Sequence, residues 1–297
     1  MELLFDLPLV TRRRERAAAN RTQGADFLLE LAGRELAERL SVVERHFDEA
    51  VELHGGIGNA AAHSLATGKI TRLRRMETAK AFAATNEPVE IAALEDVPLG
   101  TQSVNLVISP LALHLTNDTP GVLIRIRQAL KPDGLLLAAI PSSGTLQELR
   151  DVLLATEAEL SGGASPRVIP FADVRDIGAL LQRAGFALPV VDAESVTVRY
   201  DTLFDLMRDL RAMGMANPLI GRSRQPLNRQ FFMRAAQMYA ERYSDPDGRI
   251  RATFSFIYAS GWAPHESQQK PLKPGSAKMK LADALKVPPI DPATDKN

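Results

Sequence analysis

Cysteine is absent from the 297 residues. That excludes disulfides, thiolate nucleophiles, iron–sulfur ligation and zinc sites built on Cys-x-x-Cys pairs. An excess of either charge is also missing: lysine plus arginine and aspartate plus glutamate number 36 each. Nothing global therefore draws the chain to nucleic acid or to an anionic membrane. No apolar run approaches the ~20 residues that cross a bilayer, so no integral membrane segment is expected. Met1–Val10 is too short and, with Glu2 and Asp6, too acidic for a secretory core. The Arg-rich stretch Thr11–Arg21 has the composition of a transit peptide, but acidic residues on both sides favour an amphipathic surface helix. The expected location is cytoplasmic.

What is present suits a globular domain: 45% hydrophobic and 24% charged residues. The first ~45 residues have helical spacing at Leu28, Leu29, Leu31, Leu36, Leu40 and Val43 and form a predicted N-terminal helical extension, 1–45. Strand patterns follow at Ala50–His54, Ile70–Arg75 and Val89–Ala92. Asn59 is a predicted cap for a helix over Ala60–Ala66, and Thr78–Ala84 reads as another short helix. Val104–Ser109 and Leu135–Ile140 are apolar runs of the kind buried in parallel sheets. Between them a helix over Pro120–Leu130 has proline in its first turn and Lys131-Pro132-Asp133-Gly134 behind it. Strands alternating with helices at this spacing imply right-handed crossovers and a mostly parallel sheet. Beyond Gly144 come helices over Thr145–Leu160 and, capped by Asp173, Val174–Ala184. Short strands at Leu188–Val191 and Val196–Arg199 precede two helices, Leu203–Met213 and Asn228–Tyr243, which read as a lid. Ile250–Gly261 is a closing strand. The main domain is expected over 46–265, with the lid at about 200–245 and a Lys- and Pro-rich tail from 266 to 297.

The run Glu52-Leu53-His54-Gly55-Gly56-Ile57-Gly58 joins a strand to a helix. Glycines there let backbone approach a ligand, and the helix N-terminus favours negative charge. A tight turn without ligand reads equally well. Glu77 follows the second strand at nearly the spacing at which an acid holds ribose hydroxyls in dinucleotide folds. Its other reading is an acid favoured by a helix dipole.

Five segments then fall in a known order: Glu52–Gly58, Glu95-Asp96-Val97-Pro98-Leu99, Val104–Ser109, Leu113–Asp118 and Leu130–Gly134. They resemble the class I S-adenosylmethionine-dependent methyltransferases, of the type that includes the malonyl-acyl-carrier-protein methyltransferase of biotin synthesis. The runs Gly144–Arg150, Ser165-Pro166, Pro170-Phe171, Arg183–Phe186, Asp209–Gly214 and His265–Gln268 sharpen this. They are similar to the family of mitochondrial complex I assembly factor five and its bacterial relatives. The resemblance implies an α/β, Rossmann-like seven-stranded sheet, mostly parallel with an antiparallel last strand, and S-adenosylmethionine over the strands' carboxyl ends. It places Glu52, Gly56 and Gly58 around the methionine part and Glu77 on the ribose. Glu95 would edge the adenine, and Ser109 would sit below the sulfonium. The chain departs from the pattern at His54, where relatives carry the loop's first glycine, at Ala93 in place of an adenine-binding aspartate, and at Asn105.

Candidates for catalysis are His114 and Asp118, with Asn117 between them, on the loop after the fourth strand. His114 reads either as a general base or as a ring closing the pocket. The resembled family also includes an arginine hydroxylase acting on a complex I subunit. A non-haem iron site would require His54 and His114 to meet Glu52 or Asp118, because the five histidines show no metal-binding spacing; no metal is expected. The partner implied is a protein, such as a complex I subunit, met through Arg208, Arg211, Arg222 and Arg224. Two functions stay open here: an enzyme modifying a protein side chain by methylation or hydroxylation, and a non-catalytic assembly chaperone whose cofactor site has degenerated.

Overall fold

Strict alternation in one strand explains how the molecule is layered. Along Leu135–Ile140, residues 135, 137 and 139 enter one apolar core, whereas 136, 138 and 140 enter another. A strand buried on both faces must be covered by helices on both sides. A computed structural model of the protein describes residues 3–83, 88–163 and 165–268 and shows this arrangement. The strands are β1 (Phe47–Leu53), β2 (Ile70–Glu77), β3 (Val89–Ile91), β4 (Val104–Pro110), β5 (Leu130–Pro141), β6 (Ala187–Tyr200) and β7 (Ile250–Trp262). They form one sheet in the order β3-β2-β1-β4-β5-β7-β6. Only β7 is reversed, pairing antiparallel with both β5 and β6. This is the mostly parallel, seven-stranded Rossmann-like sheet with an antiparallel last strand.

The helices are α1 (Leu7–Asn20), α2 (Phe27–Ser41), α3 (Asn59–Ala66), α4 (Thr119–Ala129), α5 (Gln147–Ser161), α6 (Val174–Arg183), α7 (Leu203–Ala212) and α8 (Arg229–Tyr243). On α2, Leu28, Ala32, Leu36 and Leu40 recur every fourth residue and are buried in the larger core. The N-terminal segment thus supplies a core helix. On the opposite face, Val122, Leu123 and Ile126 of α4 join Ile177 and Leu181 of α6. The helix after β6 and the helix before β7 take different places. α8 buries Phe231, Ala235, Met238 and Tyr239 in the larger core and packs on α5, so of the two only α7 reaches the cavity described below.

Three local expectations change. Gly58, at φ 94°, stands at the N-cap of α3, and the Asn59 amide turns away to Asp26 and Glu30. The helix expected over Thr78–Ala84 is a single 3-10 turn, Lys80–Phe82, with Ala84 outside the described residues. The two short strands near 190 and 197 are one edge strand, β6. The polar run Asp192-Ala193-Glu194-Ser195 continues it because β7 supplies an unbroken ladder. Among the described residues no helix is long and apolar enough to cross a membrane. Residues 1–264 form one compact unit. In the second, from His265, the Gln268 N–H closes a turn onto the His265 carbonyl, and the tail beyond 268 lies outside the described residues.

Candidate functional site

Ligands in open parallel sheets sit beyond the carboxyl ends of the strands, near the point where strand order reverses. A cavity of about 700 Å³ occupies that position. His54 and Gly56 come to it from the end of β1, Phe82 from beyond β2, Leu111 and His114 from beyond β4, and Pro141 and Thr145 from β5 and its loop. Its cover is built by α1 through Val10, Arg14, Ala17 and Ala18, and by Met207 and residues 210–218 at the end of α7. The volume is that of a site for a cofactor-sized molecule, and most of the wall is apolar.

The glycine turn is braced from behind by buried ion pairs. Glu52 and Arg75 are direct partners in the β1–β2 ladder, and Arg75 Nε lies 2.9 Å from Glu52 Oε2. The other Glu52 oxygen accepts from the Ala61 N–H at 2.8 Å, in the first turn of α3. Arg75 Nη2 also donates to the Gly56 carbonyl at 2.6 Å. Gly58 must be glycine for two reasons: its φ, and the Arg75 guanidinium carbon 2.8 Å from where a Cβ would lie. Glu52 and Arg75 therefore shape the loop from beneath, and Glu52 does not line the cavity.

Glu77, at the end of β2, is fully buried and accepts from the Gly56 N–H at 2.5 Å. Its other oxygen has no hydrogen-bond partner and faces Arg14 Nη2 at 3.5 Å. Burial pushes its pKa up to about 7, with Arg14 opposing and Glu52 reinforcing the rise. Arg14 also donates to the His54 carbonyl at 2.9 Å and stacks over the Phe82 ring. Sequence reading placed this arginine on a surface helix. The signal was its helical spacing from Val10, Ala17 and Ala18, which puts one cation on the apolar face.

His54 occupies the left-handed region at φ 56°, where glycine is the least strained residue. Its ring is buried in the cavity wall, and neither nitrogen has a hydrogen-bond partner of normal geometry. Burial first and Arg14 second push the imidazole down to about 3; the Ala93 backbone opposes them weakly. His114 also lines the cavity, its ring centroid 6.1 Å from that of Phe171, and is pushed down to about 3 by burial and then Arg14. Both rings are neutral at neutral pH.

The remaining candidates lie elsewhere. Glu95 does not edge the cavity: its carboxylate accepts from the backbone N–H groups of Asn117 and Asp118 and fixes that loop. Asp118 caps α4 by accepting from the Gly121 N–H at 2.9 Å and does not line the cavity. Asn117 binds the backbone of Leu4 and Phe5, tying the N-terminal segment down. Ser109 is buried within β4, its hydroxyl without a partner, and does not line the cavity. Asn105 accepts from the Glu49 N–H, and Ala93 is exposed. Among the described residues no three His, Asp or Glu side chains are grouped to hold a metal ion. His54 and His114 share the cavity, but Glu52 and Asp118 are committed to other partners.

Residues 53–138 match the family described as "Methyltransferase domain". The chain is 35% identical over 291 residues to the mitochondrial arginine-hydroxylase NDUFAF5 of Danio rerio, covering 96% of this chain and 90% of that protein. It is 32% identical over 277 residues to the malonyl-[acyl-carrier protein] O-methyltransferase of a Methylovorus strain, covering 88% and 90%. The solved YcgJ protein of Bacillus subtilis shares the fold, with a TM-score of 0.53 at 11% identity over 77% of this chain and 98% of that one. The methyltransferase domain assigns S-adenosylmethionine as cofactor, and the site fits it: a cofactor-sized cavity, with Gly56 of the β1 turn in its wall. Glu77 lies behind that wall, its second oxygen paired with Arg14, which does line the cavity. The cytoplasmic location expected from composition is overturned, since the NDUFAF5 relatives of zebrafish, Dictyostelium and human are all named as mitochondrial. Likeness along nearly the full length of both chains, carried on a methyltransferase domain, makes this protein a member of the NDUFAF5 family.

Proposed function

We propose that this chain binds S-adenosylmethionine in the cavity and modifies an arginine side chain of a protein partner, in the assembly of respiratory complex I. The observation that carries the reading is the full-length similarity to NDUFAF5, a protein named as an arginine-hydroxylase, together with a cavity at the carboxyl ends of the strands. When bound, the cofactor supplies an electrophilic methyl group on sulfur. Gly56 presents backbone to its amino-acid end, and Glu77 is the acid for its ribose, shared with Arg14. His114, held near pKa 3, is far too weak a base to deprotonate a guanidinium; it accepts a hydrogen bond and so positions the substrate. Hydroxylation would exchange a C–H bond for C–OH: one atom of dioxygen would enter the product and the other leave as water, with two electrons from an external donor and two protons from solvent.

A second reading has its own support. The His54 ring stands in the cavity wall and Arg14 already faces Glu77, which suits an assembly chaperone that has lost cofactor use. Calorimetry with S-adenosylmethionine separates the two. Enzymatic function predicts a saturable heat that Glu77→Gln weakens. A lapsed site gives no heat until His54→Gly with Ala93→Asp restores it. Mass spectrometry of complex I subunits from a deletion strain then reads the reaction. An arginine lighter by one oxygen marks lost hydroxylation, one lighter by a methylene marks lost methylation, and unchanged subunits reject the enzymatic reading.

A further inference from the structure

Helix α1 has two working faces. Arg14, Val10, Ala17 and Ala18 turn toward the cavity, while Arg13, Arg16 and Asn20 line a separate groove against α7. Arg208 and Arg211 form the opposite wall, and no acidic residue lines the groove. Its floor is set by close backbone contact: Gly214 lies at φ 76°, and a Cβ there would meet the Arg13 carbonyl oxygen at 3.2 Å. Arg13 locks the contact by donating to the Ala216 and Asn217 carbonyls.

We infer that this groove binds an acidic segment of a polypeptide and thereby seats the protein substrate beside the cavity; the inference rests on the reading that the cavity modifies a protein side chain. Three observations support it. First, the concentration of positive charge is local, in a chain whose 36 basic and 36 acidic residues balance. Some arginines elsewhere are matched singly, as Arg234 is by Glu159 and Arg242 by Asp151, whereas the groove gathers four with no acid in its wall. In the groove only Arg208 is matched, by Asp205, and Arg16 and Arg211 are exposed with no ion pair among the described residues. Arg13 is also depressed, by burial first and then by its neighbour Arg222, with Asp6 opposing. Second, planar guanidinium forks match carboxylates in paired hydrogen bonds. No aromatic side chain lines the groove to stack a base, which disfavours single-stranded nucleic acid. Third, the groove adjoins the cavity: Thr22, Arg211, Ala212, Gly214 and Ala216 line both. A segment held there leaves the adjoining residue of the same chain at the cavity mouth.

The test is fluorescence anisotropy of the full chain with a labelled peptide of alternating Glu and Ala around one central Arg. The wild type binds it with an affinity that falls with salt. Arg16→Glu with Arg208→Glu, both outside the cavity wall, weakens binding about tenfold, the scale of two exposed charge pairs exchanged for repulsions. The same variant gains affinity for the matching Lys–Ala peptide. Unchanged binding in the variant overturns the inference. So does equal binding of both peptides by the wild type, or tighter binding of poly-uridine RNA or of phosphatidylserine vesicles than of the acidic peptide. Calorimetry with S-adenosylmethionine on the same samples keeps the two ideas apart. Peptide binding that depends on Arg16 and Arg208 without cofactor heat sinks the enzymatic reading and leaves the groove standing.

Discussion

His54 sits in a backbone conformation that costs a side-chain-bearing residue on the order of 1 kcal/mol. Its buried ring nitrogens add the penalty of unmade hydrogen bonds. Against these stand the apolar contacts of the ring and the extra chain entropy that glycine brings to the unfolded state. The balance favours glycine: His54→Gly is expected to stabilise the fold by about 1 kcal/mol, read as a raised denaturant midpoint, and to bind cofactor more tightly. A midpoint below wild type would mean that the ring's packing outweighs its strain. That glycine would be the ordinary residue here was legible only through the family resemblance; the strand-to-helix turn alone called for glycines without saying at which positions. The true task of Glu52 was not. Its partner, Arg75, is set by the β1–β2 register, and no spacing along the chain reveals which residues of two parallel strands stand side by side.

At the scale of elements, α1 and α2 differ sharply despite being neighbours. α2 buries a continuous stripe in the main core, whereas α1 buries only Val10 and Ala18 and is held by polar contacts from Arg13 and Arg14. Helices with little buried apolar area open without global unfolding. Amides of 7–20 should therefore exchange hydrogen much faster than those of 27–41, and bound S-adenosylmethionine should slow the first set only. Equal protection of both helices in the free protein would contradict this. β6 shows where sequence reading of elements fails. Asp192 and Glu194 look like a break, yet both face Arg39 of α2, and Arg39 stacks on Tyr258 of the neighbouring strand. The Arg39 guanidinium satisfies both carboxylates, and charged side chains on an edge strand also guard it against pairing with another chain.

For the molecule as a whole, buried titratable groups set the response to acid. His54 and His114, pushed down to about 3, stay neutral in the folded protein while the unfolded chain takes up protons near 6.5. Each therefore lowers stability as pH falls below about 6.5. Glu77 acts in the opposite sense: held up to about 7 against 4.5, it keeps its proton in the fold, so its contribution is present at low pH and lost as pH rises through 7. From about 6.5 to 4.5 the unfolded state gains two protons against the one that Glu77 retains. Stability should fall by up to about 1.4 kcal/mol per pH unit, then more steeply below 4.5. Urea denaturation across this range checks it: a flat profile contradicts the assignment, and His54→Gly should make the acid limb shallower. The parallel half of this fold was legible in alternating strands and helices. Of the cavity's cover, the share of α7 was legible as a lid helix; that of α1 was not, because the first helix meets a turn near residue 214, two stretches that no local pattern connects.

The position of β7 between β5 and β6 has a further consequence for synthesis. Every strand from β2 through β5 finds a neighbour among strands already made, but β6 has none until β7 follows some fifty residues later. While the ribosome adds α7 and α8, the nascent chain carries an unpaired 14-residue strand and an open edge on β5. The sheet closes only after Trp262 has cleared the exit tunnel, so the interval between β6 and β7 is when the growing polypeptide is most exposed to aggregation and most in need of a holding factor.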